Sequence, residues 1–575
     1  MINCNVLRTA FLISLTVLFF IASHFYMTNT GGTGLSITFN IASWFVMGIT
    51  LGVGGLYIAY AKSVQVTPLV KICFVGVLLL TLPLLYSASS LTETWPRFVA
   101  LWLGLCFFFF LHQFNFKTKQ IEWLLFLIVG CAFLQALLAI VQVGFLQPGN
   151  IFDFDTTETR PQGIFQQINV LSTFLVTGFM VAGYLLPKID SSSLQKQLML
   201  TVIFSLTVLV IPLVFVIASR TGWIGLVLGS ILLLPYIIRQ CSRGRLILWF
   251  IAIALGLLSI FVLESSSKSD SGVQVTESEV SVVHSKFTLS DIRGTIYPQV
   301  LSILVDNVPE GIGYGNFHRK FITIYASKNV LEGSDENAII DFGHPHNEIL
   351  YWGVEGGLVA LLGLLVIAAG IVWGLCRVPN GNRLVLLALI LPLSIHCMLE
   401  LPFYHSALSW FAFIIIIFVI SQSSSVARVY SVSRAWSRCL TVPSILLPIV
   451  LGGYLLLTLQ ANYFLVQFLE NPKVGIAHLD KALYPAWFSN RYAATRAEAS
   501  LREGIKSKNK EKIISFIMFA MKDIKYRPRG SAYFNLVVAY SALGDKQSAA
   551  KAYKEGILLF PVFFEEQMKL QRMSE

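Results

Sequence analysis

Two histidines and a carboxylate share one short strip, Gly343-His344-Pro345-His346-Asn347-Glu348, where a long polar segment runs back into an apolar one. An imidazole titrates near neutrality and takes a proton readily from a hydroxyl, so His346 is a candidate general base. Pro345 suits the first turn of a helix, and the apolar run from Ile349 supplies that helix. This predicts His346 near a helix N-terminus, where the positive end of the dipole disfavours imidazolium. Two other readings stay open: a loop histidine bonded for structure, and a metal pair with His344. An HxH pair lacks further ligands, with only Asp341 and Glu348 nearby, so no metal ion or other cofactor is expected.

Three arginines form the second group. Arg160 begins Arg160-Pro-Gln-Gly163, which leads through Gln167 and Asn169 into apolar sequence, so those two amides stand near a membrane boundary. Arg220 lies in Ser219-Arg-Thr221 between two apolar runs, and Arg293 lies within the polar insert, ahead of the glycine-rich turn Gly311-x-Gly313-x-Gly315. A further polar turn, Glu400-Leu-Pro-Phe-Tyr-His405, follows later. Arginine at membrane depth costs a few kcal/mol. Guanidinium grips phosphate oxygens in a bidentate way that lysine cannot. Three together suit an anionic ligand such as a lipid-linked pyrophosphate, whose tail lies in the bilayer and whose headgroup sits at its surface. Taken singly, Arg220 or Arg293 reads better as snorkelling or as pairing with a structural carboxylate; the three together read as a site.

The elements that must position these residues are membrane helices. The chain has 575 residues, 55% hydrophobic and 13% charged, with a mean hydropathy of +0.71, which excludes a water-soluble globular protein. By the length a bilayer demands, about thirteen runs qualify as spans: near 7–27, 37–60, 69–88, 97–113, 121–146, 169–187, 198–218, 222–238, 246–263, 349–375, 384–399, 406–421 and 440–463. The first lacks a small-residue cleavage site and is read as a retained helix. If Arg8 is cytoplasmic, alternation puts the basic loops at Lys62, Lys117, Lys188, Arg239, Arg377 and Arg428 on that side too. The loop around Arg160, the insert 265–346 and the tail then face the other way. The net charge of +11 is thus a topology signal and not a nucleic-acid footprint. The eight cysteines all fall in or beside apolar or cytoplasmic segments, so no disulfide framework is expected.

The expected organisation is all-α: N-terminal transmembrane helices over 1–263, a large periplasmic loop over 264–346, C-terminal transmembrane helices over 347–465, and a helical tail over 466–575. In the tail, Tyr533, Leu536, Tyr540, Gly544, Ala549, Tyr553 and Pro561 follow the tetratricopeptide helix-turn-helix pattern. A weaker helical pair lies upstream, between His478 and Met521. So few repeats bury little core alone, which predicts a small domain resting on the membrane portion and not a free solenoid. Structural packing and docking of a protein partner are equally open for it.

These motifs, in this order, resemble the bacterial O-antigen ligase superfamily, and within it the pilin- and protein-targeting O-oligosaccharyltransferases. Arg160-Pro-x-Gly163, Gln167-x-Asn169, Ser219-Arg-Thr221, Arg293, the glycine turn, His344-x-His346-Asn347 and Glu400-x-Pro402 with Tyr404 carry the resemblance, which runs over nearly the whole chain. It implies transfer of a preassembled glycan from undecaprenyl pyrophosphate to a periplasmic or pilin-like acceptor protein, at the outer face of a Gram-negative inner membrane and without a metal. By the same resemblance His346 is the catalytic residue, and Arg160, Arg220 and Arg293 contact the donor pyrophosphate. Gln167, Asn169, Tyr404 and Glu348 handle glycan or acceptor. One departure is Gln166-Gln-Ile-Asn169 where many relatives have Gly-Gln-Pro-Asn, which alters that loop. Ligation of O-antigen to lipid A-core and polymerisation of the glycan use the same chemistry and remain alternatives. A flippase for lipid-linked sugar is a rival of another class, but no nucleotide-binding glycine-rich lysine motif is present to power one.

Overall fold

A run of about 20 apolar residues satisfies its own backbone only as a helix once it leaves water, and the computed structural model follows that rule. It describes residues 3–158, 160–269, 292–332, 343–483 and 490–574. Among them thirteen helices are long and apolar enough to cross a membrane, from Cys4–His24 to Arg434–Glu470. The chain is an all-α multi-pass membrane protein. It divides into two compact units. The first comprises Met1–Val77, Ala100–Ser290 and Val366–Leu456; the second comprises Leu78–Val99, Asp291–Leu365 and Leu457–Glu575.

In the first unit the helix Ile168–Leu185 is central, with every residue from Val170 to Leu185 buried. Small residues let its neighbours approach it. A side chain at Gly178 would strike Ala132, one at Gly183 would strike Leu233, and one at Gly222 would strike Ser172. The unit also contains the one strand pair among the described residues. Ser63–Val66 (β1) pairs antiparallel with Arg428–Ser431 (β2), Ser63 opposite Ser431. The ribbon joins the loop after the second span to the loop after the twelfth, two loops that strict alternation puts on one side.

The second unit holds the polar insert and the tail. Two helices of the insert, Ile292–Asp306 and Phe317–Glu332, bury Ile296, Val300, Ile303, Phe317 and Phe321 together with Val354. The parts 270–291 and 333–342 of the expected loop, with Asp341, lie outside the described residues. The tail is a pair of helical hairpins, Asn490–Lys506 with Lys510–Asp523 and Gly530–Ala542 with Lys546–Leu559, closed by Pro561–Ser574. Its core of Phe516, Tyr533, Leu536, Ala539 and Phe564 takes in Ile322 and Ala326 of the insert, so the tail rests on the insert helix Phe317–Glu332, where the membrane portion was expected to carry it.

Two spans depart from the pattern reading in ways that bear on the second unit. The last, expected over 440–463, runs from Arg434 to Glu470 over 37 residues. Its end turns amphipathic instead of stopping, and Leu465 and Phe468 pack against Leu479 and Tyr492. The span Glu348–Arg377 is broken at Gly357, whose φ of 66° and ψ of −156° interrupt the helix.

Candidate active site

The strip around His346 is built from the helix break upward. Because Gly357 leaves the helical path, the carbonyls of Val354 and Glu355 lose their partners four residues on. The glycine-rich turn takes them: Ile312 N–H donates to Val354 O at 2.9 Å, Gly313 N–H to Glu355 O at 2.9 Å, and Leu358 N–H returns a bond to Pro309 O at 2.8 Å. Glu355, fully buried, grips the same turn by its side chain. Its Oε1 accepts from Gly315 N–H at 2.9 Å and Phe317 N–H at 3.3 Å, and its other oxygen pairs with Arg97. The Arg97 guanidinium lies 4.5 Å from the Tyr351 ring, 4.8 Å from Trp352 and 5.3 Å from Tyr314. Sequence reasoning passed over Arg97, although a lone arginine next to Phe98 in an apolar run carries the signal that singled out Arg220.

Above this base the helix starts at Glu348, not at Pro345. Asn347 is its cap: Oδ1 accepts from Leu350 N–H at 3.0 Å, and its carbonyl accepts from Tyr351 N–H at 2.9 Å. Asparagine is a strong N-cap, and it wins over the proline two residues earlier. His346 therefore precedes the cap and is half-buried. It takes φ of 52°, a left-handed conformation that costs an L-residue roughly 1–2 kcal/mol. Its backbone is pinned from both sides: the carbonyl accepts from Tyr297 O–H at 3.3 Å, and the N–H points to His344 Nδ1 at 3.4 Å. The two imidazole rings stand 4.4 Å apart. Glu348 is buried, and its Oε2 accepts from Trp352 Nε1–H at 3.1 Å. Arg293 belongs to the helix Ile292–Asp306 of this unit. Among the described residues no three metal-ligating side chains come together.

The remaining candidates belong to the first unit. Gln167 caps the helix Ile168–Leu185, its Oε1 accepting from Val170 N–H at 3.0 Å, and its Nε2–H donates to Glu400 Oε2 at 2.9 Å. The same carboxylate oxygen lies 3.4 Å from Nε2 of buried His396. Asn169 Oδ1 accepts from Ser219 O–H at 2.8 Å. Ser219 in turn caps the helix Arg220–Gln240, so the exposed Arg220 is that helix's first residue. Tyr404 is half-buried in the one-turn helix Pro402–His405. Asn40 holds that turn from the second span, donating to His405 O and accepting from Ala407 N–H, each at 2.9 Å. The first unit thus links Gln167 to Glu400 and Asn169 to the start of the Arg220 helix. Arg160 is half-buried in the loop ahead of them.

Two family models match the chain. One, described as O-Antigen ligase, matches residues 205–365, which include Arg220, Arg293, His346 and Glu348. The other, described as Virulence factor membrane-bound polymerase, C-terminal, matches residues 384–574, which include Glu400, Tyr404 and the tail. No curated protein matches the chain. Together the two matches support the O-antigen ligase superfamily, and with it a membrane-bound glycan transfer of ligase or polymerase type.

Proposed function

We propose that this protein transfers a preassembled oligosaccharide from undecaprenyl pyrophosphate to a Ser or Thr hydroxyl of a periplasmic or pilin-like protein. The observation that carries the reading is the path from His346 to the tail. The strip 343–348 opens the helix whose break receives the glycine turn. The helix Phe317–Glu332, directly after that turn, shares its core with the tail hairpins. Helix-pair repeats serve widely as peptide-binding surfaces, so helical pairs packed on the insert of the unit that bears His346 support a protein acceptor.

In the proposed reaction His346 takes the proton of the acceptor hydroxyl, or orients it, as the oxygen attacks the anomeric carbon. The bond from that carbon to the pyrophosphate breaks with inversion, and the lipid pyrophosphate leaves as an anion. Arg160, Arg220 and Arg293 stabilise the charge that develops on it. Gln167, Asn169, Tyr404 and Glu348 handle glycan or acceptor. The Lys and Arg distribution supports placing this chemistry at the periplasmic face of an inner membrane.

The description of the match over 384–574 as a polymerase favours a second reading, extension of the glycan itself. Intact-mass analysis of periplasmic and pilus proteins, with and without this gene, separates the two. A lost glycan mass on a protein with an unchanged lipopolysaccharide ladder supports the first. A changed ladder with unmodified proteins in both strains overturns it in favour of ligation or polymerisation.

A further inference from the structure

The loop that carries Arg160 and Gln167 is held by two side chains from a neighbouring span. Gly163, Ile164 and Phe165 are buried, where an N–H or C=O without a partner costs about 1–3 kcal/mol. Gln142 Oε1 accepts from both Gln162 N–H at 3.0 Å and Gly163 N–H at 2.7 Å, and its Nε2–H donates to Gly163 O at 3.1 Å. Gln135 Oε1 accepts from Ile164 N–H at 3.0 Å. The two glutamines lie two helical turns apart on Thr118–Gly144 and so face the same way. Both are buried in the protein, where neither lipid nor solvent competes for the loop. The fit is close: Gly163 has φ of 59°, and a side chain there would meet Gln135 Oε1 at 2.8 Å and Leu171 Cδ1 at 2.9 Å.

We propose that Gln142, assisted by Gln135, is the positioning residue of the donor loop, a buried polar clamp that fixes where Arg160 and Gln167 stand. The proposal rests on reading Arg160 as a pyrophosphate contact. Arg160 lies two residues before the first clamped N–H, and Gln167 four residues after the doubly bonded Gly163. Only an amide of this length accepts and donates in one plane. A leucine of similar size would leave two N–H groups and a carbonyl of the loop without partners.

Undecaprenyl pyrophosphate is the probe, since its binding needs neither glycan nor acceptor. Gln142→Leu is expected to weaken that binding roughly tenfold or more. Gln142→Glu, which keeps an acceptor for both N–H groups but loses the donor to Gly163 O, should recover only part of it. An Ile164→Cys reporter, in protein with Cys376 and Cys439 replaced by serine, reads the loop independently of any ligand. Its buried thiol should resist a water-soluble maleimide with Gln142 present and react faster with Gln142→Leu. Unchanged labelling overturns the clamp, whatever the donor is. Faster labelling with unchanged undecaprenyl pyrophosphate binding overturns the positioning role. Should Gln142→Leu fail to accumulate, Gln142→Asn, one methylene short, carries the same two readouts. The donor reading itself is judged separately by Arg160→Ala, for which wild-type binding of the same probe would refute it and leave the labelling result standing.

Discussion

Replacing Gly357 by alanine should disable the second unit from its backbone outward. The residue sits at φ of 66° and ψ of −156°, a region essentially reserved for glycine, where any side chain costs about 1–3 kcal/mol. The new Cβ would lie 2.0 Å from Pro309 O, 2.6 Å from Glu310 C and 2.7 Å from Gly311 N. These are backbone atoms, so the whole turn must retreat. That retreat breaks the bonds from Leu358 N–H, Ile312 N–H and Gly313 N–H, each worth about 0.5–1.5 kcal/mol net. Strain and lost bonds together come to roughly 3–7 kcal/mol, a large share of what a domain has to spare. Inactivation half-life at fixed temperature in detergent is the fitting assay, because unfolding of such proteins is commonly irreversible. Gly357→Ala should shorten it roughly tenfold or more. Gly453→Ala, at a position with nothing within 4 Å, should leave it unchanged. Gly311→Ala strikes the same contact from the other side, 2.5 Å from Gly357 N, so the double variant should cost little more than either single one. A Gly357→Ala protein as durable as its parent would refute the account of the break.

Other outcomes follow from the same residues. His346→Ala should cut transfer about 10²–10⁴-fold with normal membrane accumulation, and His344→Ala should cost less; full transfer by His346→Ala with lipid-linked donor would remove it from the mechanism. Arg220→Lys and Arg293→Lys should each weaken donor use, since lysine lacks the bidentate fork, and unaltered donor kinetics would favour snorkelling. Chelation with EDTA should leave transfer unchanged; loss restored by manganese or magnesium would point to a metal on His344, His346 and Glu348. From the insert helix Phe317–Glu332, Arg319 donates to the tail's Glu555 at 2.8 Å and to its Tyr533 hydroxyl at 2.7 Å. Partial burial raises the Glu555 carboxyl, yet the Arg319 and Tyr533 bonds together hold it below its usual 4.5. A depressed carboxylate contributes stability that is present above the unfolded value and lost as pH falls through the folded one. Proteolytic resistance of the tail should thus decline below about pH 4.5, and Glu555→Gln should flatten that decline; an equal decline in both would assign it elsewhere.

The spans could be read because a bilayer imposes one length on every crossing, and the helix from Thr38 to Ala61 lies within a residue of its expected 37–60. Gly357 was not legible: one glycine in the apolar run Gly353-Val-Glu-Gly-Gly357 looks like any tolerated glycine, and only the approach of the turn 309–313 shows why the helix must open there. Arg97 and Glu355 were missed because they stand far apart in sequence, so their charges read as two costs and not as one pair. Gln135 and Gln142 were passed over for a similar reason, since an amide in an apolar helix declares its purpose only when the loop it serves is known. His346, by contrast, stood out by residue type alone. Its left-handed backbone did not, because Pro345 and Asn347 both compete to start the helix and local pattern does not decide between them.

The Asn40 bonds and the β1–β2 ribbon also govern how the protein is made. Asn40 and His405 are separated by 365 residues; at about 5–20 residues per second the ribosome needs roughly 20–70 s to deliver the second after the first. Throughout that interval the second span carries a side-chain amide whose distant partners do not yet exist, and the strand Ser63–Val66 presents an open edge. The early helices must therefore enter the bilayer as a half-built clasp, and the late ones close it. Truncation anywhere before β2 leaves that clasp open, so shortened products of this chain should be marked for degradation by their first loops and not only by the segments they lack.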